Sequence, residues 1–497
     1  MQVVSLAFLA FLAIISVVNI IIPRKCRYIL LFLASMGFYI SIDIKGMFVL
    51  SLSILSTYLS GIIIEKTALL SKDRSVSSNE KKEAAGRNIV FIACIVVNVC
   101  LLLFFKYYGF FSRNINSLLG TDRVPMLSIV APIGISFYIL KALSYLIDVK
   151  RGTLKAEKNL IKYALYVSFF TQIVSGPIDR AGNLISQFNF PVTVDFDRFR
   201  DGFLQILWGY FMKLVLADRM AIFVSAVYSD VKPGTITFIG TLLYTFEIYC
   251  DFGGYSHIVI GASRLLGIDV KNNFESPYLA ASISEFWRRW HISLSSWLKD
   301  YIYIPLGGNR KGTFRKHLNI LIVFAVSGLW HGANWTFIIW GLMHGVYQIL
   351  GYIFKPLRDR AVRVFKVDRN QLSHRCFKIA VTFSLVNFAW IFFRAESVSQ
   401  AVEIAKRSFE FTPWVLTNGD LYKQGLDSAN LLLVLWGLIL VICVDIANYK
   451  GYIIREKIMG LSLWFRWAIM IAAIMVTVIC GIWGPGYDAA SFIYQQF

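Results

Sequence analysis

Charge is scarce in this 497-residue chain and acidic charge scarcer still, with 16% of residues charged and 30 Asp and Glu against 50 Lys and Arg. Soluble domains run nearer a quarter charged, so a deficit that persists along the whole length argues against a soluble globular protein. The seven cysteines are an odd number, most of them inside apolar runs, and no C-x-x-C pair occurs. Neither a disulfide framework nor a zinc site is indicated, and the cysteines read as packing residues. Also missing are G-x-S-x-G, a Walker loop, a dinucleotide fingerprint and H-E-x-x-H, which leaves serine hydrolase, ATPase, dehydrogenase and zinc protease chemistry unsupported. No basic stretch or small-residue cleavage site precedes the first apolar run, so that run reads as a retained span. Internal repeats and low-complexity domains are absent from the sequence.

What is abundant is apolar surface: 57% hydrophobic and 15% aromatic residues, with a mean hydropathy of +0.60. Runs long enough, or nearly so, to cross about 30 Å of hydrocarbon lie at Val3–Ile22, Tyr28–Ile44, Met47–Ile64, Ile89–Phe105, Phe203–Val227, Trp335–Ile353, Leu431–Ile446 and Trp467–Trp483. Between Ser128 and Phe170, and from Thr235 to Leu266, the runs are shorter and broken by Gly, Pro and charge, as expected of tilted, re-entrant or cavity-lining helices. The predicted fold is an all-α polytopic membrane protein, one membrane domain over 1–497 with a polar loop at 65–88. Basic residues crowd Arg24–Arg27, Lys66–Arg87, Lys355–Lys378 and Lys450–Arg466, whereas Arg394–Asp427 holds four basic against five acidic residues. The positive-inside rule puts the basic segments in the cytoplasm and both termini outside. Topology and anionic membrane lipid account for most of the net charge of +20.

The middle third, Pro132 to Asn334, concentrates Gly, Pro and intramembrane charge, and its end, SGLWHGANWTFIIWGL from Ser327, sets one histidine among residues that otherwise read as membrane interior. An ionisable group at such depth is a functional-site hypothesis by default. His331 is the first catalytic candidate, because an imidazole can take up and return a proton near neutral pH and a lone histidine without metal partners suits general base chemistry on a hydroxyl. Gly328 and Gly332 would let a backbone or ligand approach the ring, and Trp330 and Asn334 offer donors to orient it or to stabilise developing charge. His344 reads as packing or polar glue between helices. Glu247 and Asp251 are unusual in an apolar setting, lining a polar cavity or, for Asp251, capping a helix start.

Upstream, SEFWRRWHISLSSWLKDYIYIPLGGNRKG from Ser284 interleaves aromatic residues with Arg288, Arg289, Lys299, Arg310 and Lys311. Two readings stand together: an interfacial amphipathic helix with rings at headgroup level, and a cytoplasmic mouth whose cations draw in the phosphates of a nucleotide-bearing acyl donor. His291 within this tract is either a structural hydrogen-bonding residue or a second group lining the same passage.

FWRRWHISLSSWLKDYIYIPLGGNRKG followed by GLWHGANWTFIIWGLMHG resembles the signature region, here 284–345, of the membrane-bound O-acyltransferases, in particular the bacterial branch of alginate O-acetylation and teichoic acid D-alanyl transfer proteins. PIGISFYILKALSYLIDV, QIVSGPIDR and YCDFGGYSHIVIGASRLLG extend the likeness over most of the chain. The resemblance implies roughly ten to twelve transmembrane helices, with re-entrant or interfacial ones, around a central funnel and tunnel. It makes His331 essential and His291 a second functional position, and it implies acyl transfer from a cytoplasmic thioester to a hydroxyl presented from the other side. Chain length favours the acetyl branch, with acetyl-CoA as donor substrate, no tightly bound cofactor and no metal. It also implies a bacterial inner or plasma membrane setting, a cell-surface polysaccharide as final acceptor and an extracytoplasmic partner with a serine nucleophile. The tail 484–497 ends in Phe492, Ile493, Tyr494, Gln495, Gln496 and Phe497, similar to an F-x-Y-x-x-F terminus of such systems; Tyr494 would accept the acyl group, or the tail would anchor at the interface. The alternatives are D-alanyl transfer from a carrier protein and, from another class, a proton-coupled anion transporter.

Overall fold

The computed structural model describes residues 2–70, 78–188 and 195–483, and among these no strand occurs. The architecture is all-α, as expected. The chain divides into two compact units, Met1–Phe203 with Val259–Lys271, and Leu204–Ile258 with Asn272–Phe497.

The first unit contains α1 (Leu6–Ile21), α2 (Arg27–Ile40), α3 (Gly46–Leu70), α4 (Ser78–Leu102), α5 (Tyr108–Leu119), α6 (Ile135–Lys150), α7 (Leu160–Ser168) and α8 (Ala181–Gln187). Local chemistry sets several of the boundaries. Ser5 caps α1 by accepting from the Phe8 N–H, and Asn159 caps α7 by accepting from Ile161 and Lys162. Both satisfy donors that a helix start leaves open. Gly120, with φ 62°, stops α5 in a left-handed turn. Burial here is not purely apolar. The Arg27 guanidinium and the Asn19 amide both donate to the Leu266 carbonyl at 3.1 and 3.2 Å, and Lys141 donates to Gln172, which donates to Asp179. Pairing of this kind is what makes buried polar groups tolerable.

Two further helices, α9 (Phe196–Tyr210) and α11 (Thr235–Leu265), carry residues of both units, and the second unit adds α10 (Asp218–Ser229), α12 (Ile283–Arg289), α13 (Ile292–Leu298), α14 (Gly312–His331), α15 (Trp335–Ile353), α16 (Lys355–Val364), α17 (Leu372–Arg394), α18 (Val398–Arg407), α19 (Ser428–Tyr449), α20 (Ile454–Met459) and α21 (Leu463–Cys480). By length and composition six helical stretches among the described residues can cross a membrane: Gly46–Glu65, Ala85–Leu119, Trp335–Ile353, Leu372–Arg394, Ser428–Tyr449 and Leu463–Cys480. The expected span at Phe203–Val227 lies within an unbroken helical stretch in which α9 and α10 join through a π-helical turn, Phe211–Ala217, whose side chains are largely buried. That turn carries Lys213, whose ammonium lies 2.8 Å from Asp218 and 2.5 Å from Asp251 with all three side chains buried. Asp251 therefore sits in the middle of α11 as an ion-pair partner, and the helix-cap reading is corrected. Conversely, Leu372–Arg394 was not among the expected spans; its basic N-terminal third dilutes the apolar signal that Thr382–Phe393 carries.

Candidate active site

His331 is the last residue of α14, and the chain turns through Gly332–Asn334 before α15 runs back beside it. The hairpin closes tightly because two glycines face backbone. A Cβ on Gly328 would stand 2.2 Å from the Phe337 carbonyl oxygen, and one on Gly341 would stand 2.2 Å from that of Phe324. Gly332 faces the Phe337 ring in the same way. Small residues at such crossings let helix backbones approach closely. The glycines flanking His331 thus admit the neighbouring helix and the Phe337 ring.

The His331 imidazole is buried in an aromatic enclosure. Its centroid lies 5.0 Å from Trp330, 5.0 Å from Trp340 and 5.3 Å from Phe393, all edge-to-face. Trp340 stacks on Trp390 at 5.4 Å, so α17 supplies two walls of the enclosure. His291 stands 6.3 Å from His331 between centroids, and its ring also meets Phe252 at 4.8 Å and Trp330 at 5.9 Å. The structure therefore brings the two expected histidines together, although forty residues separate them. An environment of this kind excludes water and strengthens every electrostatic interaction within it.

His344 belongs to the same cluster, 5.2 Å from Trp340 and 5.1 Å from Trp287. Both of its ring nitrogens, and the indole nitrogens of Trp287, Trp340 and Trp390, are buried without a hydrogen-bond partner among the described residues. Buried donors that no protein group satisfies are the exception in native interiors. Here they gather around His344, and one of them, Trp340, also borders His331.

Asn334 stands at the start of α15. Its side chain caps α15 by accepting from Thr336 and donates to the Glu396 carbonyl at 2.9 Å. The amide, three residues beyond His331, thereby fixes where α15 begins.

The expected donor-side cations divide. Arg288, Lys299, Arg310 and Lys311 are exposed. Arg289 is tied down, bonded to Glu285 at 3.0 Å and to the Glu275 carbonyl at 3.1 Å, with its guanidinium 4.5 Å from the centre of the Tyr449 ring. Ser282 and Glu285 cap α12 reciprocally, Ser282 accepting from Glu285 and the carboxylate accepting from Ala281. Asn319 of α14 donates to the carbonyls of Leu306 and Gly308, holding the loop that carries Arg310 and Lys311. In α16 part of the positive charge is neutralised locally. Hydrogen bonds from Lys355 and Arg369 hold the Asp359 carboxyl down at about 2. Tyr494 lies outside the described residues.

Sequence reasoning did not anticipate Trp390 and Phe393, although the run FAWIFFR is dense in aromatic residues, nor Asn273, whose hydrogen bonds are described below. Nothing short-range marks the last of these: an asparagine in KNNFESPY reads as an ordinary turn residue.

The pair of buried histidines, one of them in a W-H-G motif at a helix end, sits in a chain whose residues 90–386 match the model of the membrane-bound O-acyltransferase family. The chain belongs to that family. Among its relatives is the probable alginate O-acetylase AlgI of Azotobacter vinelandii, 37% identical over 359 residues that cover 71% of this chain and 69% of the relative. The Pseudomonas putida protein of the same name is 39% identical over 325 residues, covering 65% and 64%. A peptidoglycan O-acetyltransferase from Helicobacter pylori is 33% identical over 406 residues, covering 76% and 72%, and a teichoic acid D-alanyltransferase from Bacillus subtilis is 24% identical over 325, covering 63% and 79%. The chain thus spans roughly two thirds of the length of the alginate relatives that it matches.

Proposed function

We propose that this membrane O-acyltransferase takes acetyl from cytoplasmic acetyl-CoA and moves it across the membrane for O-acetylation of a cell-surface polysaccharide. The observation that carries the reading is the His291–His331 pair, 6.3 Å apart inside a buried aromatic enclosure. In the reaction, His331 removes the proton of the accepting hydroxyl, and the oxygen attacks the thioester carbonyl. The carbon–sulfur bond then breaks, and the departing sulfur takes the proton back from the imidazolium. The indole N–H groups of Trp340 and Trp390 are the donors at hand for the oxygen that gains charge.

Arg288, Lys299, Arg310 and Lys311, on the exposed surface of the signature tract, attract the phosphates of the donor. The higher identity to O-acetylating relatives than to the D-alanyl transfer protein favours acetyl as the cargo. Tyr494 is the acyl-accepting hydroxyl in this scheme, with both termini outside a bacterial plasma membrane and a serine-nucleophile partner finishing the transfer.

Purified protein with labelled acetyl-CoA tests the reading. His331→Ala is expected to lower thioester turnover by about 10²- to 10⁴-fold while eluting as folded protein, and intact-mass analysis should find an acetyl adduct on the tail that Tyr494→Phe abolishes. Wild-type turnover by His331→Ala ends the proposal; anion flux without thioester turnover replaces the enzyme by a carrier.

A further inference from the structure

His291 joins α12 to α13 with φ 45° and ψ 52°, a left-handed conformation that a β-carbon disfavours. Something must hold it there, and the contacts lie on both sides of it. Asn273, itself fully buried, accepts from the Ile292 N–H through its main-chain carbonyl at 3.0 Å. Its side-chain Oδ1 accepts from the Ser293 N–H at 3.2 Å and from the Ser293 hydroxyl at 2.8 Å. On the other flank, the Glu275 N–H donates to the Arg289 carbonyl at 3.0 Å. Residues 273–275 therefore run as a strap along 289–293, with His291 bracketed between the bonds. Phe274 locks the strap in place by packing 5.0 Å from Phe252 and 4.9 Å from Trp290, and Phe252 is the ring against which His291 rests. The Nδ2 group of Asn273 is buried and has no partner among the described residues, so the hydrogen bonds of this side chain all run through its oxygen.

We propose that Asn273 is the positioning residue of His291: the two hydrogen bonds that its side-chain oxygen accepts from Ser293, beside the main-chain bond from Ile292, impose the left-handed turn and so set the separation of the two imidazoles. This rests on the role assigned to His291 above. Side-chain clamps of this kind matter because a reacting group displaced by about 1 Å can lose two orders of magnitude in rate.

The test is a double-mutant cycle on purified enzyme, reading kcat and the KM for acetyl-CoA separately. Asn273→Ala is expected to lower kcat about tenfold to hundredfold with KM unchanged. If it acts through His291, the double variant Asn273→Ala/His291→Ala falls no further than His291→Ala alone. A double variant that loses the product of the two single effects overturns the proposal, as does wild-type kcat for Asn273→Ala.

A second measurement needs no turnover. Because the turn demands positive φ, His291→Gly should unfold at a higher temperature than His291→Ala, and that gap should close in the Asn273→Ala background. If His291→Ala keeps full kcat, the role of His291 fails while the gap still judges the clamp; a gap indifferent to Asn273→Ala overturns the clamp. Should Asn273→Ala fail to accumulate, Ser293→Ala removes the 2.8 Å bond and carries both measurements with the same signs.

Discussion

Placing one methyl group at Gly341 probes the geometry on which the active site depends. The built Cβ would stand 2.2 Å from the Phe324 carbonyl oxygen and 3.2 Å from the Gly328 Cα, where ordinary contact begins at 3.4 Å. Both obstacles are backbone, so no side chain can swing aside, and α15 must retreat from α14 by about 1 Å to relieve the overlap. Trp340, the next residue, packs edge-on to His331, so the retreat pulls one wall away from the imidazole. Overpacking of this size destabilises by about 1–3 kcal/mol, and misplacement of about 1 Å lowers rate by about 10²-fold. Gly341→Ala is therefore expected to lower both the unfolding midpoint in detergent and acetyl-CoA turnover, with turnover hit harder than the midpoint alone explains at assay temperature. Gly37→Ala is the control, since nothing lies within 4 Å of a Cβ there, and a helical alanine adds about 0.5–1 kcal/mol. A Gly341→Ala enzyme that matches wild type in midpoint and turnover would refute the argument.

Lys213→Met should leave the buried Asp218 and Asp251 carboxylates without their cation and destabilise by about 3–5 kcal/mol. The triple variant Lys213→Met/Asp218→Asn/Asp251→Asn should recover most of that; thermal unfolding of the two side by side decides, and equal losses would sink the ion-pair account. At the start of α15, Asn334→Ala is expected to lower stability by about 1 kcal/mol, while Asn334→Asp, also a good cap, keeps the bond from Thr336 but loses the donor to the Glu396 carbonyl and falls between wild type and the Ala variant. Unfolding midpoints of matched samples check this, and indistinguishable Ala and Asp variants would count against the capping role.

The helical, membrane-spanning character was legible because hydropathy over twenty residues is a local property, and His331 was legible because a titratable group in such a run is rare. The two-histidine site was only half visible. Spacing along the chain says nothing about a 6.3 Å approach between residues 291 and 331, and the glycines beside His331 left open whether a backbone or a ligand comes close, until α15 was seen to supply the backbone. The helix-cap reading of Asp251 failed, and the capping bonds of Asn334 went unread, for related reasons. A polar residue near a functional motif reads as chemistry when its hydrogen bonds go to a distant backbone, and an acidic residue in an apolar helix reads as a cap when its partner, Lys213, is hidden in another apolar run. Asn273 left no trace because its importance lies in three bonds to a segment some twenty residues away.

The π-helical turn at Phe211–Ala217 has one more consequence. A π turn accommodates an extra residue in what would be a regular spiral, so every side chain beyond it is rotated by about 100° from the phase that α10 would otherwise inherit. Deleting a position between Lys213 and Asp218 would tighten the turn to the ordinary pitch and carry Asp218 roughly a quarter-turn around the axis, away from the ammonium. Length at this one place, more than the identity of most residues in it, is what the surrounding charge arrangement demands.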